Sequence, residues 1–212
     1  MACAASSRPE SRPYTYNDSA LRIYAELKFA PLCIILMTPA SSALKPFIFR
    51  RLGADDAAAY RALRLESLQK HPAAFSSSWE EESSQPLAWF EDRLENQVVF
   101  GGWLKEGALC GIAGLFMPYA AKLRHKASVA GVYVRPESRR TGLAQALLNE
   151  LVAYANNRLD TLLLTVEASN TAAFQLYKKI GFEEYGREPR ALKVDGTYYD
   201  EILMALPLTI PG

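Results

Sequence analysis

One stretch limits the possible folds of this chain more than any other: Val132-Tyr133-Val134-Arg135-Pro136, then Glu137-Ser138-Arg139-Arg140-Thr141-Gly142-Leu143-Ala144. A β-branched and aromatic run stops at a proline, a basic glycine turn follows, and an amphipathic pattern over 143–158 begins without a break. Such a pattern predicts a strand feeding a loop and then a helix. The first turn of a helix leaves backbone N–H groups without partners, and the helix dipole makes that end positive. Gly142 has no Cβ and Ala144 the smallest one, so an anion can come close to the backbone. Arg139 and Arg140 add charge-assisted hydrogen bonds to such an anion. The anion is not a nucleotide held in a phosphate loop, because Arg140-Thr141-Gly142 lacks the lysine and the metal-binding hydroxyl of that motif.

The 212 residues suit one domain, or one domain and a tail. Half of them are hydrophobic and 22% charged, as in a chain that buries a core, and the formal net charge of +1 gives no electrostatic footprint for nucleic acid or a membrane surface. Cys3, Cys33 and Cys110 are odd in number and widely spaced, and the chain has only 2 histidines. Neither a metal site nor a disulfide framework is expected, and a reducing, cytoplasmic setting fits this usage. Cys110 lies in an apolar run and reads as a core residue. Residues 1–46 differ from the rest. Their Ser, Arg, Pro and Ala content lacks a period, and the apolar run Phe29 to Met37 is too short to span a bilayer. They are expected to be a poorly ordered N-terminal extension, or an overlong start with Met37 as the true first residue. The domain is placed at 47–207.

Within it, Phe47 to Leu52 reads as a strand, and a helix follows with Asp55 as its cap and Ala59, Leu63 and Leu68 on its apolar side. His71-Pro72 ends that helix, and residues 76–82, with the acidic run Glu80-Glu81-Glu82, read as a linker. A second helix runs from Leu87 to Glu95. Val98 to Lys105 and Ala108 to Met117 form a hairpin, and Ala127 to Val134 is the strand that enters the glycine turn. After the long helix come a strand from Thr161 to Glu167 and a helix from Asn170 to Ile180 that Gly181 closes. A last hairpin, Phe182 to Val194 and Thr197 to Leu206, turns at Asp195-Gly196. The order is β-α-α-β-β-β-α-β-α-β-β.

A second signature follows the first: Val166-Glu167-Ala168-Ser169-Asn170, then Ala173, Leu176-Tyr177 and Gly181-Phe182. Together with the Arg-x-x-Gly-x-Ala spacing of Arg139 to Ala144, one helix and one strand earlier, it resembles the two motifs of the GCN5-related N-acetyltransferase (GNAT) superfamily. The resemblance spans Phe47 to Leu206. It implies an α/β fold with a mixed, mostly antiparallel central sheet flanked by helices, in which the fourth and fifth strands splay. It also implies acetyl-CoA as co-substrate, no metal, and an amine acceptor. By the resemblance, Val132, Tyr133 and Val134 pair with the pantetheine arm and polarise the thioester carbonyl. Arg139, Arg140, Thr141, Gly142, Leu143 and Ala144 hold the pyrophosphate. Asn170 and Ala173 border the cofactor, Asn170 also being able to cap its helix, and Tyr177 protonates the leaving thiolate as the catalytic acid.

The general base stays open. Ser128 stands where many relatives that acetylate histone lysines carry a glutamate; Glu80 to Glu82 and the hairpin residues Asp200 and Glu201 are the carboxylates near the expected acceptor side, and Glu167 lies on the strand beside the cofactor. A water-relayed proton transfer serves equally. No cysteine lies near either motif, so direct attack in a ternary complex is expected rather than an acetyl-enzyme. The alternative reading is a catalytically silent acyl-CoA-binding domain with a sensing or interaction role. Neither the acceptor, a small molecule or a protein amine, nor the choice between monomer and homodimer is legible.

Overall fold

The computed structural model describes residues 47–104 and 107–208. The expectations for residues 1–46 lie outside them, as do Cys3 and Cys33. Among the described residues, seven strands form one sheet in the order β1-β2-β3-β4-β5-β7-β6. They are β1 (Phe47–Arg51), β2 (Val98–Leu104), β3 (Leu109–Phe116), β4 (Lys126–Val134), β5 (Thr161–Glu167), β6 (Glu183–Val194) and β7 (Thr197–Pro207). The helices are α1 (Ala57–Lys70), α2 (Trp79–Ser83), α3 (Leu87–Asn96), α4 (Leu143–Ala155) and α5 (Thr171–Ile180). Every strand pair is antiparallel except β4–β5. No helix among them is long and apolar enough to cross a membrane.

The sheet is covered on both faces. One core gathers Leu143, Leu147, Leu148 and Leu151 of α4 with Leu162, Leu164 and Val166 of β5, Phe182 and Met204. The other gathers Tyr60 and Leu63 of α1 with Phe90 and Leu94 of α3, Val99, Ile112 and Tyr133. Adjacent residues of a strand face opposite sides, so Tyr133 joins the second core and Val134 the first.

Three local readings are corrected. The segment 79–83, read as a linker, is helical: Ser78 Oγ accepts the Glu81 N–H at 3.2 Å, and the Ser78 N–H donates to Glu81 Oε2 at 2.9 Å. That reciprocal pair is a capping box, a device that satisfies two backbone donors at once. Asp55 is not the cap of α1. Asp56 occupies that position, and its carboxylate turns back to the Gly53 N–H and the Arg50 guanidinium. The buried stripe of α1 is Ala57, Tyr60, Leu63, Arg64, Ser67 and Leu68, while Ala59 faces solvent.

Two glycines fix the start of α4. Gly102 of β2 and Gly111 of β3 are cross-strand partners, and Leu143 lies over both. A Cβ on Gly102 would stand 2.5 Å from Leu143 Cδ1, and one on Gly111 3.0 Å from Leu143 Cδ2. The missing side chains let the first turn of α4 sit against the sheet. Gly102→Ala is therefore expected to overpack the site and cost about 1–3 kcal/mol in chemical denaturation. Gly53→Ala, whose Cβ would meet nothing within 4 Å, should stay within about 0.5 kcal/mol of the parent. Equal stability of the two variants would refute the close approach.

Candidate functional site

The parallel ladder of β4 with β5 holds for three pairs, Lys126↔Thr161, Ala127↔Leu162 and Ser128↔Leu163, and then stops. Both strands continue, β4 on β3 as far as Gly111↔Val134 and β5 on β7 as far as Glu167↔Glu201. A register shift between Ile112 and Gly114 puts an extra residue into β4 at Gly131, whose φ is +65°. Such a bulge bends its strand and increases its twist. The backbone of Val129 to Val134 is therefore left without a strand on its β5 side. Unpaired N–H and C=O groups on such an edge can take an extended ligand as if it were a strand.

The glycine turn follows directly. Pro136–Ser138 is a single 3-10 turn, Arg140 has φ +60°, and Gly142 caps α4 at φ +87°. The N–H groups of Arg140 through Gln145 have no acceptor among the described residues, and the first helical bond runs from the Ala146 N–H to the Gly142 carbonyl. A Cβ on Gly142 would meet nothing within 4 Å, so the ground in front of these donors is open. Six successive donors at a helix start make an anion cradle. The Thr141 hydroxyl instead donates to the Ser138 carbonyl at 2.6 Å.

The two arginines of the turn differ. Arg139 folds back: its Nε donates to the Val134 carbonyl at 3.0 Å and its Nη2 to His71 Nε2 at 2.9 Å. An arginine can only donate, so His71 is neutral with Nε2 as acceptor. Burial, then the charges of Arg139 and Lys70, hold the His71 pKa below its ordinary value. Arg140 is exposed and has no side-chain partner among the described residues. The Tyr133 side chain is engaged on the α1 side. Its hydroxyl donates to Glu66 Oε1 at 3.1 Å, and burial followed by that carboxylate pushes its pKa up to about 12. Glu66 also binds Arg135 and Lys70.

A cavity of about 990 Å³ opens where β4 and β5 part. Ser128 to Val132 form one wall and Leu163 to Thr165 another, with Tyr177 and Glu201 beside them. Tyr177 is 8% exposed, and its hydroxyl has no hydrogen-bond partner among the described residues. Burial alone pushes its pKa up to about 12. Ser128 and Val132 line this cavity, whereas Arg139 to Ala144, Asn170 and Ala173 do not. Asn170 is an N-cap: its Oδ1 accepts the Ala173 N–H at 3.2 Å.

The carboxylates sort by their partners. Glu167 is engaged by the Ser169 N–H and hydroxyl, and Asp200 by Arg187 and the Arg190 N–H. Glu80 and Glu81 are exposed, but Glu82 is 4% exposed and held by Arg64 and Arg93. Those cations keep the Glu82 carboxyl below its usual range despite its burial. Glu201 is half-buried: burial raises its pKa, a hydrogen bond from the Thr165 side chain works against that, and Glu188 and Glu167 across the strands add to the rise. The arginines Arg64 and Arg93 are the site residues that sequence reasoning missed. A visible signal existed for Arg64, because it falls on the apolar stripe of α1 with Tyr60, Leu63 and Leu68.

Comparison with known proteins agrees with this geometry. The model of the acetyltransferase (GNAT) family matches residues 63–182. The [ribosomal protein bS18]-alanine N-acetyltransferase of Escherichia coli K12 is 36% identical over 86 residues, which is 40% of this chain and 58% of that protein. The L-amino acid N-acetyltransferase AaaT of the same organism is 35% identical over 77 residues, 35% of this chain and 48% of that one. These matches thus span about half the length of the curated relatives. A solved structure of yncA from Salmonella typhimurium, with its cofactor acetyl-CoA, superposes with a TM-score of 0.65 at 23% identity, covering 78% of this chain and 96% of that one. That last likeness speaks for the fold alone. With the parted strands, the glycine turn and a family match across more than half its length, the chain belongs to the acetyltransferase (GNAT) family.

Proposed function

We propose that the protein is an acetyl-CoA-dependent N-acetyltransferase that carries the acetyl group to an amine in a ternary complex. The observation that carries this reading is the parting of β4 from β5 next to the open N–H groups of Arg140 to Gln145. One edge can take an extended arm, and the helix start a diphosphate. When bound, acetyl-CoA supplies the activated thioester. The chain's own residues bind, orient and move protons around it.

The edge of Val132, Tyr133 and Val134, apart from the Val134 carbonyl that Arg139 occupies, faces the pantetheine arm, and an N–H there polarises the thioester carbonyl as charge develops on its oxygen. Within the turn from Arg139 to Ala144, the open N–H groups that begin at Arg140 receive the pyrophosphate, and Arg140 adds its free guanidinium. Arg139, tied to Val134 and His71, acts first as a brace of the turn. Asn170 and Ala173 set the start of α5, which presents Tyr177 to the cavity.

Tyr177 stays protonated at neutral pH. Its raised pKa also makes full proton transfer to a thiolate of ordinary basicity, near 8.5, uphill. The hydroxyl is therefore assigned to hydrogen-bond the departing sulfur, and it gives up its proton only to a thiolate whose basicity burial also raises. Glu201 is the cavity carboxylate whose raised pKa suits it to take the amine proton, directly or through water. The relatives' names include both a ribosomal-protein and an amino-acid acetyltransferase, so an amine is the shared acceptor chemistry.

Three outcomes follow. Gly142→Glu, a carboxylate set before the open donors, should abolish acetyl-CoA binding in calorimetry; unchanged affinity would remove the pyrophosphate assignment. Tyr177→Phe should lower kcat by roughly ten- to a hundredfold, the worth of one hydrogen bond to a charged atom, with acetyl-CoA affinity kept. Full turnover in that variant would return Tyr177 to packing, and acetyl-CoA binding without thiol release on any amine would favour a silent binding domain. Tyr177 also has a stability signature. Its folded pKa of about 12 exceeds the unfolded value near 10, so the stability it contributes is whole below about pH 10 and is lost as pH rises through 12. Denaturation at pH 8 and 11.5 should show a steeper alkaline loss in the parent than in Tyr177→Phe.

A further inference from the structure

The cavity that Tyr177 lines is also lined by a buried charge cluster with an unequal balance. Arg64 is 4% exposed, and its Nε and Nη2 both bind Glu82, at 3.0 Å and 2.7 Å for the shortest contacts. Arg93 Nη1 reaches the same carboxylate at 3.2 Å. Two guanidiniums therefore share one carboxylate, and all three groups line the cavity. Because Glu82 stays ionised, the cluster keeps a net positive charge.

Arg64 spends only one edge of its guanidinium on Glu82. Its Nη1 has no partner among the described residues, and the ring of Phe75 lies 5.0 Å from its Cζ. That Nη1 faces the β4 bulge: a Cβ built on Gly131 would stand 3.8 Å from it. The free donor thus points at the place where β4 leaves β5, one residue before Val132. A nine-tenths buried arginine is costly to keep unless its donors are met, and the donor turned to the cavity is met only by what enters there. Tyr177, also buried and unpartnered, lines the same space.

The other charges around the cavity are Glu81, Asp92 and Glu201. Glu81 and Asp92 are exposed, and Glu81 is committed to the Ser78 N–H. Glu201 is on β7, which pairs with β5 across the opening from β4. The cavity is therefore bipolar, with a guanidinium at the bulge of β4 and a carboxylate on the β5 side. An acceptor that is itself bipolar, with an anionic carboxylate one carbon from its amine, fits that arrangement.

We propose that Arg64 is a specificity-determining residue, whose Nη1 binds the α-carboxylate of a free amino acid and so places the α-amine beside the backbone of Val132. This inference rests on the acetyltransferase reading and narrows its acceptor. Carboxylate binding at Arg64 selects free amino acids against protein N-termini, in which the same carbon is an uncharged amide.

The test compares the twenty L-amino acids with their α-carboxamides as acceptors of purified full-length protein, by thiol release from acetyl-CoA. Rates are expressed as kcat/KM per unprotonated amine, since the amide lowers the amine's basicity. For the preferred side chain, the acid should exceed its amide by about ten- to a hundredfold, the worth of a charge-assisted hydrogen bond. Arg64→Lys keeps a cation beside Glu82 but removes the second guanidinium nitrogen. It should collapse the acid-to-amide ratio toward one, mainly through KM. The double variant Arg64→Gln with Glu82→Gln, which removes both charges together, should do the same if the lysine variant fails to fold. An acid-to-amide ratio at or below one in the parent would overturn the proposal and leave the acetyltransferase reading intact. So would a ratio that neither variant moves. No thiol release with any acid, amide or amine, together with no binding of acetyl-CoA, would remove both.

Discussion

The arrangement of this molecule depends on an interrupted hydrogen-bond ladder. β4 and β5 share three pairs and then diverge; past the last pair β4 carries an extra residue at Gly131, while β5 keeps its full register on β7. Backbone donors and acceptors on an unpaired edge must be met by water or by a ligand. The opening also creates the cavity, and it brings to one place groups that are far apart in the chain: Arg64 of α1, the bulge of β4, Tyr177 of α5 and Glu201 of β7. Closing the ladder would remove the cavity and the open edge together.

Two ionic networks tie α1 to its surroundings, and their value is geometric. Glu66 collects the Tyr133 hydroxyl, Arg135 and Lys70, and Glu82 collects Arg64 and Arg93. A buried ion pair adds little net stability, since desolvation offsets much of its attraction, but losing one partner leaves a stranded charge. The pair Arg64–Glu82 therefore fixes where the short helix α2 sits relative to α1 more than it strengthens the fold. Tyr133 and Arg135 do the same for the end of β4, just ahead of the glycine turn. The cavity wall and the turn are both held by α1.

Much of this was legible in the sequence. Strands with β-branched residues, the Asp195-Gly196 turn and the Gly181 helix end carry local signals, and the structure places each within a residue or two of its expected position. Cys110 is buried, its thiol donating to the Gly102 carbonyl. The helix at 79–83 was equally legible, because Ser78 and Glu81 stand at capping-box spacing, but the run of three glutamates obscured it. What sequence could not supply is long-range: Arg64 meets Glu82 across a turn, a linker and a second helix, and no period encodes that pairing. The unpaired length of β4 was likewise invisible residue by residue, since Val132 to Val134 look the same in a complete ladder. It entered the sequence reading only through the family resemblance.

The cavity has a divided ancestry within the chain. One part of its lining comes from α1 to α3 and the loop between α1 and α2, the other from β4, β5, α5 and β7. The glycine turn and its cradle lie apart from both walls, buttressed by Leu143 on its two glycines. Changes at Phe75, Trp89 or Arg93 can therefore reshape one wall without disturbing that cradle. If the cradle holds the acyl donor as proposed, such separation lets a duplicated copy of the gene drift toward a new acceptor in a few substitutions while its hold on that donor is inherited whole.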